Sequence, residues 1–142
     1  MPTWKHSTEI HASADKVFAY LDEPMNLVEW MVGMVEVRNV IGTGAGQQYD
    51  GSYKMGGIVL HGQATIIEHA LNDYAVHQTI GAISSTWGFR LEPSEHGTQI
   101  TIDVEYSIPI PIIGKLAERI VRSRNEREFR LSIENLKELL EA

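Results

Sequence analysis

The 142 residues carry 12 Lys and Arg against 19 Asp and Glu, a net charge of −7, so no basic face is at hand to release counterions from a phosphate backbone and nucleic acid is not an expected partner. The composition, 43% apolar and 22% charged, is that of an ordinary globular chain, and the length suits one domain over residues 1–142 with room for a core and an internal cavity. The lack of cysteine excludes disulfides, thiolate metal sites and thiol nucleophiles, while the lack of a long apolar run or a signal-peptide layout predicts a cytoplasmic protein without stable membrane insertion.

Loose alternation over residues 3–11 predicts a first strand. Ser13 then suits a helix cap, Asp15 the first turn where the helix dipole favours an anion, and Val17, Phe18 and Leu21 an apolar stripe. Asp22-Glu23-Pro24 breaks that helix, and Pro24 opens a second short one carrying Leu27, Val28 and Trp30. From Val35 to Ser107 the period changes to two. Turn signals at Gly42-Thr43-Gly44, Gly56-Gly57, Asn72-Asp73, Gly81 and Pro93 to Gly97 divide this stretch into six strands of a meander. An extended elbow, Ile108-Pro109-Ile110-Pro111-Ile112-Ile113, leads to one helix over about residues 112–140, roughly 40 Å long. The pattern predicts an α+β fold in which a curved seven-stranded antiparallel sheet, with two short helices after its first strand, wraps the long C-terminal helix, because no other apolar surface is large enough to cover that helix.

Hairpin partners must agree on which face is apolar, and this fixes an expected register. Leu71 is set beside Tyr74, Ile67 opposite Val76 and Thr65 opposite Gln78. Gln78 faces Trp87 and Val76 faces Phe89. Leu91 meets Ile100, Phe89 Ile102, Trp87 Val104 and Ser85 Tyr106, while Tyr53 meets His61 and Gly51 meets Gln63. The resulting concave face holds Tyr49, Tyr53, Met55, His61, Gln63, Thr65, Ile67, Val76, Gln78, Ile80, Trp87, Phe89, Ile102, Val104 and Tyr106, with Trp4 off it. One end is apolar; the other mixes Gln63, Thr65, Gln78, Ser85 and Tyr106 into the same face. In a filled core such groups cost about 1–3 kcal/mol each when unpaired, whereas a cavity satisfies them with water or ligand. On the last helix, Ala117, Val121, Asn125, Glu128, Ser132, Leu136 and Leu139 share the side turned to the sheet.

The segments Ile10-His11-Ala12-Ser13-Ala14-Asp15-Lys16-Val17-Phe18 and Leu21-Asp22-Glu23-Pro24, with Trp30, Gly42-Thr43-Gly44, Gly97-Thr98-Gln99-Ile100-Thr101 and Asn135-Leu136-Lys137, resemble the polyketide cyclase/dehydrase and lipid-transport superfamily along nearly the whole chain. That superfamily shares the helix-grip fold of the birch-pollen allergen and the steroid-transfer domains. The resemblance implies this fold and a deep pocket between sheet and last helix. It leaves the activity open, since members include binders, carriers and enzymes. Ala12-Ser13 stands here where the family commonly has Ala-Pro.

The six histidines include no His-Glu-x-x-His and no pair four apart on a helix, so no metal and no cofactor is expected. His6, His11, His69 and His96 read as strand and loop residues, and His77 as a surface partner of Glu68. His61, beside Tyr53, is the candidate proton carrier. Gly42-Thr43-Gly44-Ala45-Gly46 lacks the following helix and Lys-Ser/Thr of a phosphate loop and reads as a hairpin loop. Glu128 reads as an ion-pair member beside Arg124 and Arg127, with a pocket acid or base as the alternative, and the basic run Arg119 to Arg130 as a solvated face. The expected ligand-contacting set is Tyr49, Tyr53, Met55, His61, Gln63, Thr65, Gln78, Trp87, Phe89, Val104, Tyr106, Val121, Asn125 and Glu128. Three functions fit: a binder or carrier of a small hydrophobic molecule (lipid, polyketide or aromatic), a cyclase or dehydratase acting on a polyketide-like substrate, and a protein-interaction module. The chain is expected to act as a monomer or homodimer.

Overall fold

The computed structural model describes residues 3–55, 57–107 and 115–142, the side chains of the last segment from residue 119 onward. The first strand, β1 (Thr3–Ile10), is followed by α1 (Ala14–Leu21), a 3₁₀ turn (Pro24–Asn26) and α2 (Leu27–Trp30). The strands β2 (Met34–Ile41), β3 (Gln48–Met55), β4 (Ile58–Ala70), β5 (Tyr74–Gly81), β6 (Ser85–Ser94) and β7 (Gly97–Tyr106) come next, and α3 (Lys115–Glu141) ends the chain. The proline elbow Ile108 to Ile113 lies outside the described residues.

All neighbours pair antiparallel in the order β1-β7-β6-β5-β4-β3-β2. The helical segment between β1 and β2 therefore bridges the two sheet edges, as the order of periods along the chain predicts. Ser13 stands at the N-cap of α1 in extended conformation, but its side chain does not bond the helix N–H groups. Its hydroxyl serves Asp15 instead, holding that carboxyl below its usual range together with the Lys16 N–H. Pro24 does open the second helical segment, where the Glu23 carboxylate accepts from the Met25 N–H.

Four connections set the strand register. The β6–β7 hairpin is as expected, with Leu91 opposite Ile100, Phe89 opposite Ile102, Trp87 opposite Val104 and Ser85 opposite Tyr106. The β3–β4 pairing is one residue away from expectation. A tight turn between these strands, with Gly57 at φ +86°, sets Met55 opposite Ile58, so Tyr53 faces Leu60 and Ser52 faces His61. The β5–β6 pairing is also displaced by one: His77 meets Trp87, Ala75 meets Phe89 and Gln78 meets Thr86. Thr65 does lie opposite Gln78, but Ile67 is bulged out of the β4–β5 ladder and Glu68, not Ile67, meets Val76. Because side chains alternate, each one-residue shift exchanges a strand's two faces. His61, Gln63, Thr65, Ile67, Val76, Gln78 and Ile80 consequently point away from the concave face, and Leu60, Gly62, Ala64, Ile66, Ala75, His77 and Thr79 point into it. Trp4, opposite Val104, also lies on the concave face, contrary to expectation.

The C-terminal half of α3 is fastened to the rest of the chain. Ser132 Oγ accepts from the Val32 N–H at 2.8 Å and donates to the Glu128 carbonyl at 2.7 Å. Lys137 Nζ donates to the Glu9 carbonyl at 2.6 Å and pairs with Glu141 at 2.9 Å, whose carboxylate also accepts from the His11 N–H. The buried stripe of the helix is Val121, Asn125, Phe129, Ser132, Ile133, Leu136 and Leu140. Leu139, expected inside, is exposed and Leu140 takes its place, while the side chain of Ala117 lies outside the described residues.

Candidate ligand-binding site

Between the concave face and α3 lies a cavity of about 90 Å³. Its floor is a column of small residues. Gly51 pairs with Gly62, Tyr49 with Ala64 and Ala64 with Thr79 across β3, β4 and β5, so this stretch of the lining carries no large side chain but Tyr49. Opposite that column stands an aromatic wall. Trp87 and Phe89 stack at 6.2 Å with their planes 16° apart, and Phe129 of α3 meets Trp87 edge-on at 5.4 Å. Leu27 of α2, Met31 just after that helix, and Met34 of β2 also line it.

Of the residues expected to touch a ligand, the structure brings Tyr49, Tyr53, Met55, Trp87, Phe89, Val104 and Tyr106 to the cavity wall. Val121 and Asn125 are buried on the face of α3 that carries Phe129. His61, Gln63, Thr65 and Gln78 are not on the wall: they occupy the convex face, where the Ser52 hydroxyl and His61 Nδ1 share a hydrogen bond of 2.8 Å. Glu128 is half-buried beside the site; burial pushes its carboxyl up, and the charges of Arg124 and Arg127 pull it back down.

His77 reverses its expected role. It lies on the cavity wall, edge-on to Phe89 with ring centroids 5.0 Å apart. Burial first, and the neighbouring His69 second, push its imidazole down to about 4, so the ring is neutral at pH 7. His69 in turn bonds Asp22 at 2.9 Å and meets Phe18 edge-on, tying the end of β4 to α1. Ser85 and Thr79 bond one another on the wall. The hydroxyls of Tyr53 and Tyr106 and the Asn125 amide nitrogen are buried without a hydrogen-bond partner. Tyr53 is held in place partly by Gly33, at φ +96°, where a Cβ would come within 2.9 Å of the Tyr53 ring.

Sequence reasoning missed Leu27, Met31, Met34, Gly51, Leu60, Gly62, Ala64, His77, Thr79, Ile83 and Phe129. Phe129 had a signal, since Val121, Asn125 and Phe129 follow the i, i+4 row of one helix face. Among the described residues no group of three or more His, Asp or Glu side chains is placed to hold a metal ion, and no helix is long and apolar enough to cross a membrane.

A curved antiparallel sheet closed on a long C-terminal helix over an internal apolar cavity defines the helix-grip class of ligand-pocket domains. This chain belongs to the polyketide cyclase/dehydrase and lipid transport family, whose model matches residues 1–141. Its fold is similar to that of the protein TTHA0849 from Thermus thermophilus (TM-score 0.82, 16% identity, 96% of this chain and 95% of that one). It is also similar to the ZhuI aromatase/cyclase of a Streptomyces species (TM-score 0.76, 12% identity, 99% and 93%). A third likeness is to StfQ, a di-domain aromatase/cyclase of the steffimycin biosynthetic pathway, of which this chain spans half (TM-score 0.77, 15% identity, 98% and 50%). No curated protein sequence matches the chain.

Proposed function

We propose that this chain binds a small apolar molecule bearing a flat ring in the cavity between the sheet and α3. The observation that carries this reading is the pairing of a small-residue floor, Gly51, Gly62, Ala64 and Thr79, with the aromatic wall of Trp87, Phe89 and Phe129. A fold selected only for stability gains by filling such a space, since each missing methylene forfeits transfer free energy and contacts. The cavity volume of about 90 Å³ is below the roughly 150 Å³ that holds a benzene ring. A ligand larger than a few atoms therefore enters by displacing side chains or by moving the N-terminal half of α3, which lies beyond the Ser132 and Lys137 fastenings.

Native mass spectrometry of the purified protein, followed by denaturing extraction, tests this. A co-purifying aromatic, polyketide or lipid supports the reading. A protein that arrives empty and takes up no toluene on soaking contradicts it.

A second reading has its own support: an imidazole, His77, on the cavity wall, together with the aromatase/cyclase names of two similar structures; it requires a bound ligand to raise the basicity that burial holds down. In this reading the pocket holds a polyketide-like chain folded while His77 moves a proton. It predicts that His77→Gln abolishes turnover of a poly-β-ketone substrate and leaves its binding intact; loss of both together favours the simple binder.

A further inference from the structure

Building on the reading of the cavity as a ligand site, we propose that its Tyr53–Tyr106–Asn125 corner is a subsite for one neutral acceptor oxygen of the ligand, of the ketone type. Three of the four buried side-chain polar atoms without a partner among the described residues are the Tyr53 hydroxyl, the Tyr106 hydroxyl and the Asn125 amide nitrogen. They come from β3, the end of β7 and α3, and nothing in sequence proximity brings them together. Tyr53 and Tyr106 both line the cavity and both pack in the cluster that holds Met55, Leu60, Val121 and Phe129. Asn125 sits between Val121 and Phe129 on the buried stripe of α3. Burial pushes the Tyr106 phenol up and the adjacent Asn125 amide draws it back, so the two groups are neighbours although neither meets the geometry of a formed hydrogen bond.

Buried polar groups in folded proteins are nearly always paired, and this same wall obeys the rule elsewhere, where Thr79 and Ser85 satisfy each other. The exception is therefore local. An amide NH₂ can only donate, and a phenol that meets another donor donates in its turn, so the corner presents donors in search of an acceptor. Charge narrows the class further. No Lys or Arg is among the described residues lining the cavity, and the Tyr53 phenol is pushed up first by burial and then by the negative charge of Glu128. A carboxylate would meet the negative charge of Glu128 and no cation in the lining, since the Arg122 guanidinium that acts on Tyr106 belongs to an exposed residue outside it, whereas a ketone oxygen accepts two hydrogen bonds on its lone pairs without bringing a charge.

Three probes of similar size and different head test this on the whole protein: ethylbenzene, acetophenone and benzoate, titrated by calorimetry. Acetophenone should bind at least about fivefold more tightly than ethylbenzene, as expected for one or more net hydrogen bonds, and benzoate more weakly than either. Tyr106→Phe and, separately, Tyr53→Phe should each narrow the acetophenone preference and leave ethylbenzene affinity unchanged. The ligand-free Tyr53→Phe variant should melt no lower than the wild type, because the Tyr53 hydroxyl has no hydrogen-bond partner to lose. Equal binding of acetophenone and ethylbenzene, an undiminished preference in both Phe variants, or a variant that fails to fold would each overturn the subsite while leaving the apolar cavity standing. Failure of the wild type to bind any of the three would overturn the cavity reading itself, and the subsite with it.

Discussion

His77 and Phe89 meet edge to face across β5 and β6, their ring centroids 5.0 Å apart, with the imidazole turned into the cavity rather than toward solvent. The pairing beneath them, Ala75 opposite Phe89 and His77 opposite Trp87, decides which half of β5 faces inward. A polar ring is thus buried in the aromatic wall while Val76 and Ile80 of the same strand face outward.

This placement makes stability depend on pH. The folded-state value of His77, about 4, lies below its ordinary 6.5, so the unfolded chain takes up the proton first as pH falls. The contribution of the neutral ring is whole above pH 6.5 and is lost progressively toward pH 4; at 1.36 kcal/mol per unit it amounts to about 3 kcal/mol at most. Urea denaturation at pH 7 and pH 4.5 should show His77→Phe losing less stability than the wild type between the two. Parallel losses would mean that another group carries the acid sensitivity.

Ala64, between Tyr49 and Thr79 on the floor, is the position from which a larger side chain fills the space. Ala64→Leu should abolish uptake of toluene while changing thermal stability by no more than about 1–2 kcal/mol in either direction, because extra methylenes gain burial but strain a partly filled site. Retained uptake would place the ligand elsewhere.

The two tryptophans of the concave face should separate by function. Both touch Phe129, at 5.4 Å in each case, but only Trp87 lines the cavity. Trp4→Ala and Trp87→Ala should each cost about 2–4 kcal/mol of stability, and Trp87→Ala should weaken ligand affinity more. Equal loss of affinity would extend the site to β1.

Ser132 joins α3 to the chain after α2 by accepting from the Val32 N–H at 2.8 Å. Ser132→Ala leaves that donor unpaired and should cost about 1–3 kcal/mol, with faster amide exchange at Val32. Unchanged exchange there would mean the bond does not hold the helix.

The architecture was legible because its signals are long. The switch from period two to a long uninterrupted helix, the Pro24 break and the turn residues identify every element, and the β6–β7 register follows from large residues on both strands, Leu91 with Ile100 and Phe89 with Ile102. The cavity wall was legible where the strands carry aromatic residues, at Tyr49, Tyr53, Trp87, Phe89 and Tyr106, but not at Phe129 of α3. It was illegible on β4 and β5, for a physical reason: matching faces by apolarity turns the bulky side chains inward, and a cavity needs small ones there. Of the aliphatics expected inside, Ile67 and Ile80 are 44% and 58% exposed and Val76 is half-buried, while Gly62, Ala64, Ala75 and Thr79 face the core. The tight turn between β3 and β4 and the bulge at Ile67 complete the reversal, and neither leaves a pattern in residue type strong enough to outweigh three misplaced aliphatics.

The most direct test of the cavity as a ligand site is a heteronuclear NMR titration of the full chain with toluene. Saturable shifts and ligand-to-protein contacts are expected at Ala64, Trp87, Phe89 and Phe129, and are expected to vanish in Ala64→Leu. Shifts confined to the convex residues Val59, Ile67 and Ile80, or contacts that persist in Ala64→Leu, would contradict a ligand site between the sheet and α3.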